Sequence, residues 1–301
     1  MKVLISGATG LVGSELVSLL LKNGIQINYL TTSENKIQDE DLYKGYYWDP
    51  KNGIIDDKCI DGVDTVIHLA GAPIAKKWTN EYKQEILESR TLSANVICGL
   101  IKNKENEVRH FISASAIGIY PDNLDNVYSE DTDEVDNSFL GTVVQKWEDA
   151  ADTIGRLGVK VAKVRTGLVL SKKGGMLPEL AKPVRLGLGA AFGSGNQMQS
   201  WIHIDDLVGI YYYIMDNELE GIYNAVAPYS VSQNELIKCA AKTLDKPYFM
   251  PNIPQFVIKA VLGEMHMLLF TSQNVSAKKI LGEGYQFKYL SLEKALEEEL
   301  K

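Results

Sequence analysis

The sequence predicts a doubly wound α/β sheet of parallel strands, joined to a smaller, mixed C-terminal region on the substrate side. Three observations predict this architecture. Short apolar runs alternate with longer segments of helical period through residue 225, a pattern that implies parallel pairing. The first run passes through closely spaced glycines straight into a helical segment. Prolines at 247, 251 and 254 then mark a boundary before the last fifty residues. The expected division is a first domain over 1–225, with substrate-side insertions from about 171, and a small C-terminal domain over 248–298.

Lys2–Ser6 reads as a buried strand. Leu11–Lys22 places apolar residues at 12, 16, 19 and 20, with Val17 beside them, which is helical spacing. Gly24 ends that helix, and Gln26–Thr31 is the second strand. Asp64–Ala70 is another apolar strand. Asn80–Lys104 is a long helix, Val108–Ala114 a strand, Phe139–Leu157 a helix and Val159–Arg165 a strand. The stretch from Gly174 to Gly195 reads as loops with one short helix. Ile204–Met215 is expected as a helix, Gly221–Val226 as a strand and Val231–Leu244 as a helix. The chain closes with a helix over Leu292–Leu300.

Composition excludes several classes. Of 301 residues, 45% are apolar and 23% charged, as in globular proteins, and no apolar run approaches the ~18 residues of a membrane span. With 31 Lys and Arg against 39 Asp and Glu, the net charge is −8 and no basic block stands out. Nucleic acid is therefore not an expected partner. Cys59, Cys98 and Cys239 are scattered, with no CxxC, so neither a disulfide framework nor a zinc site is expected. The apolar N-terminal run is too short for a signal peptide, and a cytoplasmic location is the expectation.

Gly7-Ala8-Thr9-Gly10-Leu11-Val12-Gly13 lies between the first strand and first helix, the context that gives a glycine pattern meaning. Gly7 permits a tight turn, Gly10 lets backbone approach a pyrophosphate, and Gly13 lets helix and strand pack closely. Free amides around Thr9 to Val12 then face the anion along the helix dipole. The second strand ends Thr31-Thr32-Ser33, with no carboxylate before Glu34 and with Lys36 following. Hydroxyls and a nearby cation suit a 2′-phosphate, so NADP is favoured. Glu34 keeps NAD open.

The glycine loop, HLAGAP (68–73), SASAIGIY (113–120), VRTGLVL (164–170) and SWIHIDDL (200–207) stand in one order. This order resembles an atypical extended short-chain dehydrogenase/reductase. It is similar to the epimerase-like family of unassigned substrate, the NAD-dependent epimerase/dehydratase type with a C-terminal domain of unknown function. Further matching segments are Lys146-Trp147-Glu148, Gly174-Gly175, Gly193–Gln197, Asn224–Pro228 and Leu262-Gly263-Glu264-Met265. The resemblance implies a Rossmann fold, NAD(P) binding, an oxidoreductase or epimerase activity and, as in other extended members, a homodimer. It also implies cofactor contacts from Leu69, Ala70, Gly71 and Ala114.

In that superfamily, catalysis needs a Tyr and a Lys four residues apart on one helix face, the Lys lowering the Tyr pKa. The expected helix carries Leu140 in the Tyr slot and Val144 in the Lys slot, and neither can move a proton. Tyr47 and Lys51 have the spacing, but Pro50 lies between them and argues against a helix. The resemblance leaves Ser115 in the place of the catalytic hydroxyl and Arg90 where the superfamily has Asn. Arg90 could hold a carboxylate or phosphate, or stabilise an oxyanion. The alternatives are a Ser115 that satisfies loop amides and an Arg90 paired with Glu85 or Glu88. Tyr120, and His203 with Asp205 and Asp206, read as structural, and His68, His110, His203 and His266 show no ligand spacing, so no metal is expected. Trp78, Trp147 and Trp201 are candidates for the substrate cleft.

Two functions fit. One is an NADP(H)-dependent enzyme acting on a small carbonyl or hydroxyl compound, with Ser115 holding the substrate oxygen and Arg90 or water replacing the Tyr. The other is a non-catalytic dinucleotide-binding sensor or scaffold.

Overall fold

The computed structural model describes residues 1–301. Strand β1 (Lys2–Ser6) enters helix α1 (Leu11–Lys22), which buries Gly13, Leu16 and Leu20 on one stripe. Gly24 has a φ of 70° and turns the chain into β2 (Gln26–Thr31). Three strands that the periodicity does not announce come next: β3 (Asp39–Glu40), β4 (Tyr43–Asp49) and β5 (Ile54–Ile55). β4 adds to the sheet in parallel, beside β2. Gly45 breaks its pattern for a packing reason. A Cβ there would lie 2.6 Å from the Tyr29 ring, which stacks on Tyr43 at 4.2 Å.

The chain then crosses back through β6 (Thr65–His68), α2 (Asn80–Asn103) and β7 (His110–Ala116). β7 runs two residues beyond the expected Ala114, because it stays paired with the neighbouring strand to Ala116. A short strand β8 (Val127–Tyr128) precedes α3 (Phe139–Gly155), β9 (Lys160–Thr166) and β10 (Leu168–Leu170). Helix α4 (Met176–Arg185), strands β11 (Met198–Gln199) and β12 (Trp201–His203), helix α5 (Ile204–Asp216) and strand β13 (Gly221–Ala225) follow. The main sheet runs β13-β9-β7-β6-β1-β2-β4-β3, with β5 on β4. All neighbours are parallel except β3 and β5 against β4. From β1 the strand order proceeds to opposite sides, through β2 and through β6. That switch point opens a crevice at the strands' carboxyl ends.

Helices cover both faces. Leu16 and Leu20 of α1 and Leu207, Ile210 and Ile214 of α5 share a core with the sheet. Ile97 and Ile101 of α2 and Ala151 and Ile154 of α3 build the opposite one. A further core joins α4 to the C-terminal elements. There, the helix expected from Val231 starts two residues later. Val231 and Ser232 form β14, paired with β11, and α6 (Gln233–Thr243) starts after them. Ser232 Oγ accepts from the Glu235 amide while the Glu235 carboxylate accepts from the Ser232 amide, a capping box that fixes the start of the helix. Helices α7 (Gln255–Leu262) and α8 (Met267–Phe270) bury nothing fully. β15 (Asn274–Val275) pairs with β8, α9 (Lys278–Gly282) follows, and α10 (Leu292–Leu300) closes the chain. No helix is long and apolar enough to cross a membrane.

Candidate functional site

The crevice is framed by the turn after β1, the turn after β6 and the end of β7. Gly7 has a φ of 76°, and a Cβ there would lie 2.9 Å from the Leu69 carbonyl carbon. A Cβ on Gly13 would lie 2.1 Å from the Gly7 oxygen, so helix and strand can approach only at glycine. Gly10 tolerates more, its closest contact being 3.3 Å. Thr9 and Gly10 are exposed, and Leu11 and Val12 are half-buried. Gly10 is the N-cap of α1, no side chain caps the helix, and its first turn carries no acid. The cradle is thus shaped for close backbone approach and electrostatically open to an anion, and it fits a dinucleotide pyrophosphate.

At the end of β2, Thr31 Oγ1 accepts from the Ser33 amide at 3.2 Å. Thr32, Glu34 and Lys36 are exposed and Ser33 is half-buried. Tyr29 holds this turn from below, its hydroxyl donating to Lys36 O at 2.6 Å and accepting from the Gln38 amide at 2.8 Å.

The Leu69–Gly71 turn is tied to the glycine loop through a buried chain of polar groups. The Ala70 amide donates to Ser6 Oγ, which lies 2.6 Å from His68 Nδ1. His68 Nε2 lies 3.1 Å from Ser93 Oγ, whose own proton goes to Ser89 O at 2.6 Å. This network makes Nδ1 the acceptor and Nε2 the donor. Complete burial pushes the His68 pKa down to about 4, so the ring is neutral.

Arg90 forms no ion pair with Glu85 or Glu88. It donates to Ile86 O at 2.8 Å and to Ala72 O at 3.3 Å, and its guanidinium lies 5.0 Å from the Trp147 ring centre. A Cβ on Gly71 would stand 3.0 Å from the guanidinium carbon. Burial lowers the Arg90 pKa to about 10. This is a cation compensated by carbonyls and an aromatic face rather than by a carboxylate.

Ser115 is 3% exposed, and its hydroxyl donates to Glu148 Oε1 at 2.6 Å. Arg165 grips the same carboxylate through Nε at 2.8 Å and Nη2 at 2.9 Å, and gives Nη1 to the Tyr120 hydroxyl. Tyr120 in turn donates to Asn224 Oδ1 at 2.8 Å. Burial works against the Arg165 charge, and Glu148 overrides it and holds the guanidinium pKa above its ordinary value. Ser115 and Tyr120 therefore belong to a buried network. Ala114 and Ala116, on the other side of the strand, are half-buried. Leu140 comes within 3.9 Å of an ideal Cβ on Gly118, and Val144 is buried. The Glu148–Arg165 pair escapes notice in the sequence, although a carboxylate one turn past an apolar slot and an arginine inside an apolar strand are its traces.

The outer crevice is aromatic. Trp78 packs edge-on against Phe139 at 5.2 Å, and Lys83 lies over Phe139 and pairs with Glu264 of the C-terminal segment. Trp201 is instead part of the core around α4 and α6. His203 caps α5 by accepting from the Asp205 amide, and Asp206 accepts from the Lys288 and Tyr289 amides. No group of three His, Cys, Asp or Glu could hold a metal.

Comparison with known proteins places this geometry. The profile of the NAD dependent epimerase/dehydratase family matches residues 3–225, and that of a domain of unknown function, DUF1731, matches 253–299. The chain is 35% identical over 299 residues to the epimerase family protein SA0724 of Staphylococcus aureus (strain N315), covering 99% of this chain and 98% of that protein. Among solved structures it is similar to the human epimerase family protein SDR39U1 (isoform 2) with NADPH, at 29% identity, a TM-score of 0.86 and 99% of both chains. It is also similar to a nucleoside-diphosphate sugar epimerase from Corynebacterium glutamicum, at 31% identity and a TM-score of 0.79, covering all of this chain and 58% of that one. A UDP-glucuronic acid 4-epimerase from Bacillus cereus shares the fold, with a TM-score of 0.80 at 18% identity over 99% of this chain and 98% of that one.

Proposed function

The chain belongs to the NAD dependent epimerase/dehydratase family, and on that premise we propose that it is an NADP(H)-binding oxidoreductase acting on a small carbonyl or hydroxyl compound. The observation that carries this reading is the glycine cradle at the switch point, where side chains at Gly7 and Gly13 would collide with backbone and the α1 terminus is uncapped. Gly7, Thr9, Gly10, Leu11, Val12 and Gly13 hold the pyrophosphate. Leu69, Ala70, Gly71 and Ala114 flank the rest of the dinucleotide. Thr32 and Ser33, with Lys36, receive the 2′-phosphate. When bound, the dinucleotide supplies hydride chemistry. The chain binds and orients it, and Arg90 brings a buried cation without a carboxylate partner to the substrate side. Ser115 acts through Glu148 and the end of β7 as a positioning residue, because its proton is already given to that carboxylate.

A second reading, a dinucleotide-binding sensor, draws support from Leu140 and Val144 in the slots of the acid–base pair. Proton transfer by a side chain contributes about 10²–10⁴-fold, so its loss slows turnover without forbidding it. Thermal unfolding with NADP⁺, NADPH, NAD⁺ and NADH, each at equal concentration, tests the cofactor. A ligand at 100 times its Kd adds ~2.7 kcal/mol to the folded state, a shift of several degrees. A shift with the NADP pair is expected, and no shift with any of the four overturns both readings. A screen of NADPH oxidation against carbonyl compounds then separates enzyme from sensor.

A further inference from the structure

The hydroxyls around Arg90 and at the end of β7 already give their protons to the protein. Ser115 donates to Glu148, Tyr120 to Asn224, Ser113 to Ala114 O, Ser89 to Ile86 O, Ser93 to Ser89 O and Tyr82 to Pro73 O. The slots of the acid–base pair are apolar. What remains is positive charge. Arg90 uses two of its five N–H donors on carbonyls, meets no carboxylate, and stands against Trp147, one turn past Val144. The cation missing from α3 is thus present on α2, at the same level of the crevice.

A cation with no free hydroxyl beside it favours one kind of acceptor. Reducing an isolated ketone makes an alkoxide, an oxygen about as basic as hydroxide from water, whose acid has a pKa of ~15.7. Such an oxygen needs a proton as it forms. Reducing a conjugated carbonyl makes a delocalised oxyanion of phenol type, whose acid has a pKa of ~10, as in Tyr. The gap is about six units, about a millionfold in basicity, and a nearby guanidinium suffices for the weaker base. The walls agree in shape. Phe139 and Leu140 are half-buried at the start of α3, and Trp78 packs on Phe139. These are surfaces for a flat ring.

We propose, resting on the oxidoreductase reading above, that the crevice takes a planar conjugated carbonyl compound, an enone or quinone, with the Arg90 guanidinium supporting the oxyanion that its reduction leaves. The substrate accepts a hydride from the reduced nicotinamide and forms one new bond to hydrogen. Its conjugated π electrons shift so that the C=O pair ends on oxygen. The dinucleotide is left oxidised, and one proton from water neutralises the oxyanion.

The test begins with equilibrium binding of 4-nitrophenol, a stable phenol-type oxyanion, to the protein saturated with NADP⁺. The yellow phenolate reports its ionisation directly. The expected result is an apparent pKa lowered by about one unit relative to water, that is, about tenfold tighter binding of phenolate than of phenol. Arg90→Gln abolishes the lowering, and Arg90→Lys, which keeps the charge should the glutamine variant fail to fold, retains part of it. With NADPH, 2-methyl-1,4-naphthoquinone is expected to turn over at least 100-fold faster than cyclohexanone. An unshifted phenol, a shift that survives Arg90→Gln, or equal turnover of the two carbonyl compounds overturns the substrate class while leaving dinucleotide binding intact. Failure of any dinucleotide to bind overturns the oxidoreductase reading as well.

Discussion

Ser115 Oγ stands 2.6 Å from Glu148 Oε1, inside a network that Arg165 and Tyr120 close. The hydroxyl is one of three groups on that carboxylate oxygen pair, so its loss and the loss of the carboxylate differ in kind. Ser115→Ala removes one hydrogen bond to a buried charge and is expected to cost ~1.5–3 kcal/mol. Glu148→Ala leaves Arg165 buried without its anion, at ~3–5 kcal/mol. Urea unfolding at pH 7 measures both. A Ser115→Ala variant of unchanged stability whose turnover falls a hundredfold would instead place this hydroxyl on the substrate.

His68 links the turn after β1 to the turn after β6 while neutral. Its pKa falls from 6.5 to about 4 on folding, through burial. The unfolded chain therefore binds a proton between these values that the folded protein refuses. The His68 contribution is complete above about pH 6.5 and is lost as pH falls toward 4, a difference of ~3 kcal/mol. Unfolding free energies at pH 7.5, 5.5 and 4.5 should show this slope. His68→Gln should flatten it. A slope unchanged in the variant assigns the acid sensitivity to other groups.

Two of the loop glycines, Gly13 and Gly10, should separate stability from binding. Gly13→Ala drives a methyl to 2.1 Å from the Gly7 oxygen, so α1 must shift and both melting temperature and dinucleotide affinity should fall. At Gly10 the nearest atom is 3.3 Å away. Gly10→Ala is expected to keep the melting temperature within about 2 °C and to weaken NADPH binding by blocking the backbone's approach to the pyrophosphate. Equal effects of the two variants on affinity and melting would mean that the loop serves packing alone.

The difference between what the sequence discloses and what it withholds follows the range of the interactions. Glycine spacing, strand alternation and the apolar Leu140 and Val144 are local, and the sheet, its switch point and the cradle follow from them. β4 is hidden because Gly45 answers Tyr29, sixteen residues away, and not a local rule. β14 is two residues long and exists through its pairing with β11. The partner of Ser115 lies 33 residues on and that of Tyr120 lies 104 residues on. The orientation of either hydroxyl is a tertiary fact. Arg90 has two carboxylates nearby in the sequence of its own helix, and only the tertiary positions of the Ala72 carbonyl and Trp147 show what it meets instead.

On the proposed reading, the turn after β2 sets nucleotide preference, with two hydroxyls and a cation from Thr32, Ser33 and Lys36 against repulsion from Glu34. An NAD site places a carboxylate at the strand end to accept from the ribose 2′-hydroxyl. Here that end is Thr31, whose hydroxyl is tied to the turn itself. Glu34 stands three residues later and opens a short 3₁₀ turn. Lys36→Gln is expected to weaken NADPH about threefold to tenfold, the size of a wet, charge-assisted phosphate contact, and to leave NADH unchanged, since NADH has no 2′-phosphate. Glu34→Gln should move NADPH the other way. Titrating each nucleotide into each variant by its own fluorescence gives four dissociation constants. If Lys36→Gln weakened NADH and NADPH alike, the lysine would be acting on the pyrophosphate, and the turn after β2 would not be the source of selectivity.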